Sequence, residues 1–239
     1  MIDLHFHCLP GIDDGPETWD EAVALCRAAA DDGTHTIVAT PHVLRDPWLN
    51  EDAAERDRLL LRLNALLGGR PSILPGCEYL FSADAVELWE MGSAGPIVGL
   101  NRGSYLLVEL PSYAVPAAVD SVFHELSILN VTPVIAHPER NIELARKPER
   151  LAGLVARGAM VQVTAAAVVG EMGRSVTAAV ETFFDRGLVH IVASDAHSLT
   201  RRPPRLAAAR ERVMQRWGSA VATKIFETNA AAVVESVAR

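Results

Sequence analysis

Short apolar runs alternate with longer amphipathic stretches along this chain. Residues 2–7, 36–40, 73–77, 104–110, 131–136, 159–164 and 189–194 are brief and largely apolar, which predicts strands. Between them lie helical patterns. Thr18 followed by Glu21 is a capping-box pattern, and it opens a stretch carrying Ala22, Val23, Leu25, Cys26, Ala29 and Ala30. Gly33 fits the helix stop. Residues 52–67 place Leu59, Leu60, Leu63, Leu66 and Leu67 on one face. Residues 116–129, 148–157 and 175–186 continue the alternation, and Pro148 suits a first helical turn. The Ala-rich tail predicts helices over 204–217 and 219–237. No composition shift or fixed-period repeat divides the chain, so residues 1–239 are expected to form a single domain. Strands alternating with helices imply an α/β fold with a mostly parallel sheet, and this many strands in one short chain favour a closed barrel over an open sheet.

The polar residues that interrupt this pattern fall at the ends of the apolar runs. The chain opens Met1-Ile2-Asp3-Leu4-His5-Phe6-His7. His42 follows the run 36–40, Glu78 follows 73–77, His137 follows Val134-Ile135-Ala136, and Asp195 and His197 follow 191–194. Glu109 sits within Leu106-Leu107-Val108-Glu109-Leu110. In a parallel α/β barrel the active site is built at the strand ends. Residues two apart on a strand face one side, so His5 and His7 can hold one metal, and Asp195 with His197 repeats the spacing. Imidazole and carboxylate suit Zn, Mn or Fe, and there is no thiolate set of structural-zinc type, so the expected centre is catalytic and polynuclear.

Composition narrows the partners. The chain has 239 residues, is 49% hydrophobic and carries a formal charge of -8, which disfavours nonspecific nucleic-acid binding. No apolar stretch approaches the length of a membrane span, and the start lacks a basic segment followed by a long apolar one, so a cytoplasmic protein is expected. The three cysteines, Cys8, Cys26 and Cys77, argue against a disulfide framework. None has arginine six positions on, where Asp14, Asp32 and Ala83 stand, which weakens a cysteine-nucleophile phosphatase loop.

The opening Met-Ile-Asp-Leu-His-Phe-His-Cys-Leu-Pro-Gly-Ile-Asp-Asp-Gly-Pro resembles that of the PHP-domain metallophosphatases, specifically the bacterial tyrosine-protein phosphatases of capsule and exopolysaccharide loci. Ala39-Thr40-Pro41-His42, Gly76-Cys77-Glu78, Leu107-Val108-Glu109, 136–140, 193–197 and Arg202-Pro203-Pro204 continue the resemblance in order over essentially the whole length. It implies a distorted seven-stranded parallel (β/α)7, TIM-like barrel holding three divalent ions, with Mn, Fe, Co or Zn in related sites. One ion would be held by His5, His7, Glu78 and Asp195. A second would share Glu78 and take Glu109 and His137. A third would use His42, His197 and one of Asp13 or Asp14, with Asp14 favoured. Three divalent cations against the carboxylates of Glu78, Glu109, Asp195 and Asp14 leave the centre net positive, which suits a phosphate.

Arg140 stands three residues after His137, and its planar fork suits phosphoryl oxygens. Arg202 and Arg205 are further phosphate candidates, and Arg201 is a weaker one. His35, His124 and His190 read as structural or surface residues, and Tyr79 and Tyr113 as rim or packing. The expected reaction is hydrolysis of phosphotyrosine by a metal-activated hydroxide. A phenol pKa of about 10 makes tyrosine a leaving group that needs little proton assistance. The resemblance implies a phosphotyrosyl protein as partner, a tyrosine kinase that controls polysaccharide export. The alternative is a histidinol-phosphate phosphatase or another small-molecule phosphoesterase with the same metals and a different rim. An amidohydrolase is disfavoured because the only lysines, Lys147 and Lys224, lie away from strand ends. A non-catalytic regulatory protein would be marked by missing ligands, and every position is filled.

Overall fold

The computed structural model describes residues 1–236, so residue 237, with which the predicted tail helix ends, lies outside the described residues. The strands are β1 (Ile2–Phe6), β2 (Thr36–Ala39), β3 (His42–Val43), β4 (Ser72–Pro75), β5 (Glu78–Leu80), β6 (Tyr105–Glu109), β7 (Thr132–Ala136), β8 (Met160–Thr164) and β9 (Ile191–Ala193). All pair in parallel, in a three-stranded sheet β1-β2-β4 and a six-stranded sheet β3-β5-β6-β7-β8-β9. The α/β architecture and parallel pairing are those expected. The ladders do not close into one barrel among the described residues.

Local chemistry explains where the ladders break. Pro41 has no N–H to donate, and it separates β2 from β3. Gly76-Cys77 separates β4 from β5. A Cβ on Gly76 would come within 2.8 Å of Val38 Cγ1 and 3.2 Å of the Ala39 carbonyl oxygen, so the strands approach there only because the side chain is absent. The two sheets are stitched beyond β9, where Asp195 N–H donates to the His5 carbonyl at 3.0 Å and His7 N–H to the Ala196 carbonyl at 2.9 Å.

Helices cover the outer faces. Trp19–Asp31 starts on the predicted capping box, with Glu21 N–H donating to Thr18 and the Glu21 carboxylate accepting from Thr18 N–H. Ala53–Leu67 starts on Asp52. Residues 116–129 shorten to Val119–Ile128, because the turn after Pro116 closes before the helix begins. Ala85–Glu90, Ile142–Arg146 and Ala165–Val169 were not foreseen as helices. The tail is Ala207–Trp217, Ser219–Thr223, a π-helical stretch Lys224–Thr228, and Asn229–Val234.

An apolar layer of Leu4, Val38, Leu107, Val134 and Ile191 fills the space between the strands, and Ala230 and Val233 of the last helix close it at one end. The polar residues at the C-terminal strand ends therefore stand on a dry floor.

Candidate metal centre

His5 and His7 project from the end of β1, where the pairing with β2 shifts register between Asp3 and Phe6. Asp3 is buried beneath the irregularity. Its Oδ1 accepts from Ser194 N–H at 3.1 Å and from His5 N–H at 3.4 Å, and burial pushes its carboxyl up to about 6. His137 directly follows β7 and Asp195 stands two residues past the end of β9, and both take left-handed backbone conformations, with φ of 31° and 53°. Histidine and aspartate tolerate that region better than most residues, and its cost recurs at functional sites.

The imidazole and carboxylate groups converge tightly. His5 Nε2 lies 3.3 Å from both Glu78 Oε2 and Asp195 Oδ1, and His7 Nε2 lies 3.4 Å and 3.5 Å from the same two oxygens. Glu78 reaches two ways: Oε1 lies 2.8 Å from His137 Nε2, and Oε2 lies 3.0 Å from His42 Nδ1. Asp14 Oδ1 stands 3.0 Å from His197 Nε2 and 3.4 Å from His42 Nε2. Four sets of donor atoms are close enough to share a cation: His5-His7-Asp195, His5-Glu78-His137, His7-Asp14-His42-His197 and His42-Glu78-Glu109. Glu109 and His137, expected on one ion, each group with Glu78 but not in a single set with each other.

The outer ring nitrogens set the chemistry of the inner ones. His5 Nδ1 lies 2.9 Å from Gln162 Oε1, His7 Nδ1 2.7 Å from Asp13 Oδ2, and His197 Nδ1 2.8 Å from the Asp195 carbonyl. Each partner accepts, so each Nδ1 carries the proton and each Nε2 turns a lone pair inward. The Nε2 atoms of His5 and His7 then face each other at 3.2 Å, and His197 Nε2 faces the Asp14 carboxylate. Lone pairs in such contact require a cation or protons between them. Glu78 Oε2 and His197 Nε2 are buried without a hydrogen-bond partner. Ligands at about 2.1 Å from a tetrahedral metal lie about 3.4 Å apart, which matches the spacing around His5 and His7. The donor set fits divalent cations.

Electrostatics agree. Burial opposes charge on His7, but Asp13 and then Glu78 outweigh it and carry the imidazolium up to about 10. Burial likewise opposes charge on Asp195, yet the surrounding positive groups, His5 and Arg140 first, hold its carboxyl well below the usual range. His197 falls to about 4 through burial and the neighbouring His7. Without a cation the carboxylates draw protons onto His5, His7 and His42, while His197 stays neutral. The two aspartates face different ways: Asp13 sits behind His7 and accepts Gly15 N–H at 2.9 Å, whereas Asp14 faces His42 and His197.

Of the predicted arginines, Arg140 Nη2 lies 2.5 Å from Asp195 Oδ2, and Arg202 spans Asp14 Oδ2 at 2.7 Å and Asp195 Oδ2 at 3.5 Å. Arg205 is not brought to the centre. Its side chain is exposed and stands 3.9 Å from Glu171, because the chain has turned towards the 207–217 helix. Arg201 is also exposed. Sequence reasoning missed Arg45, whose Nη1 lies 2.6 Å from Glu109 Oε2 and 3.1 Å from His42 Nε2. Its only signal was a basic residue three positions after His42. His35 and His124 are exposed, and His190 is half-buried, its Nδ1 accepting Val161 N–H at 3.1 Å. Tyr79 is buried, whereas Tyr113 is 80% exposed. The cysteines are free and buried. No helix among the described residues is long and apolar enough to cross a membrane.

Residues 1–235 match the family described as capsular polysaccharide synthesis, CpsB/CapC. The chain is 36% identical over 206 residues to the tyrosine-protein phosphatase YwqE of Bacillus subtilis, covering 84% of this chain and 79% of that one. It is 30% identical over 236 residues to the tyrosine-protein phosphatase CpsB of Streptococcus pneumoniae, covering 96% of each. A solved structure from work on these two metal-dependent tyrosine phosphatases superposes with a TM-score of 0.92 at 32% identity, over 99% of this chain and 95% of that one. A more distant likeness, to the phosphotriesterase homology protein of Escherichia coli at a TM-score of 0.60 and 9% identity, reflects the fold alone. The chain belongs to the CpsB/CapC family of capsular polysaccharide synthesis proteins.

Proposed function

We propose that this protein is a metal-dependent protein-tyrosine phosphatase. The observation that carries the reading is the set of inward Nε2 lone pairs on His5, His7 and His197, set against Glu78, Asp195 and Asp14. Three divalent ions are assigned. His5, His7, Glu78 and Asp195 hold the first. Glu78 and His137, with Glu109, serve the second. Asp14, His42 and His197 hold the third. Manganese is favoured, with Fe, Co and Zn compatible with the same donors. Bound there, divalent ions supply Lewis acidity, which makes hydroxide available near neutral pH and offsets phosphoryl charge.

The chain's own residues do the rest. Asp13 and Gln162 lock the tautomers of His7 and His5. Arg140 and Arg202 present guanidinium groups beside Asp195 and Asp14, where they can take phosphoryl oxygens and stabilise charge as the ester bond breaks. Among the described residues no acid beyond the proposed ligands is placed to protonate a leaving group, which suits a phenolate better than an alkoxide. The nine strands count as seven barrel positions if β2 with β3 and β4 with β5 are each one strand broken at Pro41 and at Gly76-Cys77. Residues 1–239 act as one domain in this reading. The relatives are named tyrosine-protein phosphatases, which supports a phosphotyrosyl protein as the substrate. Within this reading the substrate is a tyrosine kinase of the capsule or exopolysaccharide system, met in the cytoplasm.

Phosphate release by manganese-reconstituted protein, from a phosphotyrosyl peptide and from histidinol phosphate at equal concentration with a chelated control, tests the reading. Chelator-sensitive preference for the peptide is the expected result. Preference for histidinol phosphate would move the protein to small-molecule chemistry on the same centre.

A further inference from the structure

The segment between β3 and the Ala53–Leu67 helix folds back over the mouth of the centre. Leu44 N–H donates to the Leu49 carbonyl at 2.8 Å and Arg45 N–H to the Trp48 carbonyl at 3.1 Å. Asn50 Nδ2 lies 2.8 Å from the Ile12 carbonyl and 2.7 Å from the His42 carbonyl, tying the segment to the loop that carries Asp13 and Asp14. Arg45 anchors the near side on Glu109. The backbone is thus held without help from the Trp48 side chain. The indole is half-buried and lies over His42, with ring centroids 5.5 Å apart and planes inclined by 19°.

We propose that Trp48 is a specificity-determining residue, an aromatic wall that selects aryl over alkyl phosphates. This rests on the phosphatase reading and deepens it. His42 faces both Glu78 and Asp14, so its ring marks the edge of the phosphoryl site. The wall begins one ring-to-ring contact beyond that edge. A phenyl group joined to phosphorus through one oxygen leaves the centre over this same span, whereas a flexible alkyl chain offers no flat face to meet. Stacked aromatic faces attract through dispersion and offset quadrupoles, beyond simple area burial. The Arg45 guanidinium beside the wall adds positive charge where the anionic substrate enters.

The test uses the full chain reconstituted with manganese, and non-hydrolysable probes measured by calorimetry: benzylphosphonate, whose methylene replaces the bridging oxygen, and methylphosphonate. Wild type is expected to prefer benzylphosphonate. Trp48→Ala is expected to weaken benzylphosphonate by about tenfold, leave methylphosphonate within about twofold, and keep its metal. Trp48→Phe is expected to recover most of the preference. Equal weakening of both probes, no preference in wild type, or loss of metal from Trp48→Ala would overturn the proposal, the last because the indole would then serve His42 alone. Parallel assays on a phosphotyrosyl peptide separate the two failures. A wild type that releases no phosphate sinks the phosphatase reading whatever the probes show. Normal release with an unchanged probe preference in Trp48→Ala sinks only the wall.

Discussion

His7 Nδ1 lies 2.7 Å from Asp13 Oδ2, and this contact turns the Nε2 lone pair towards Glu78 and Asp195. Asp13 is therefore a positioning residue. Asp13→Asn offers an amide that can present either end to the ring, so the tautomer is no longer enforced. Such outer partners are worth about 10- to 100-fold in metal affinity. Competition with a chelator is expected to show a loss of that order in Asp13→Asn, with the thermal unfolding of the chelated protein little changed. An unaltered affinity would remove Asp13 from the centre.

Glu78 and Arg140 separate metal binding from substrate binding. Glu78→Ala removes a carboxylate whose two oxygens face different histidines, and it is expected to lower metal content at two positions. Arg140→Ala removes a guanidinium that touches Asp195 from the open side, so metal content is expected to stay intact. Loss of one charge-assisted contact of about 2 kcal/mol lowers kcat/KM by roughly 30-fold. Equal metal loss in the two variants would undo the role given to Arg140.

Arg202 and Arg205 lie three residues apart and are expected to behave differently. Arg202→Ala removes contacts to Asp14 and Asp195, and its kcat/KM is expected to fall at least about tenfold. Arg205→Ala touches an exposed pair with Glu171, and its kinetics are expected to match wild type. Steady-state kinetics on both variants decides the matter, and a defect in Arg205→Ala would show that the loop closes on substrate.

His190 predicts a pH effect apart from the centre. Burial, and then Lys224, lower its pKa below the ordinary imidazole value, so the native state keeps it neutral while the unfolded chain protonates near pH 6.5. The stability it contributes is present above that pH and declines as pH falls towards the native pKa. Melting temperatures of chelated wild type and His190→Gln between pH 7.5 and 5.5 are expected to converge on the acid side. Parallel curves would show that His190 does not titrate between the two states.

Much of the centre was legible because its residues follow short apolar runs, where a strand must end and expose a side chain to the mouth. His7, His137, Asp195 and His197 follow that logic, whereas His5 lies within β1 and His42 and Glu78 open β3 and β5 just past the breaks at Pro41 and Gly76-Cys77. Asp13 and Asp14 share one turn, and only the path of the backbone sends one behind His7 and the other towards His197. Arg205 was expected near the centre from its distance along a loop, which carries no direction, and its side chain stands beside Glu171 instead. Arg45 was missed because its role depends on Asn50 folding the segment back, a long-range contact that local patterning does not carry. The breaks at Pro41 and Gly76 had visible causes, a missing N–H and a missing side chain, but their consequence for sheet pairing depends on neighbours far along the chain. Ala165–Val169 follows the 159–164 strand with no polar interruption or turn signal to mark a new element, and its Ala165, Ala167 and Val168 are buried in the core.

Metal stoichiometry measured alongside phosphate release tests the central claim most directly. Protein stripped by chelator and then titrated with manganese is expected to take up three ions per chain, with release from a phosphotyrosyl peptide appearing as the sites fill. Full release from the stripped protein, or saturation with metal and no release at all, would contradict the account.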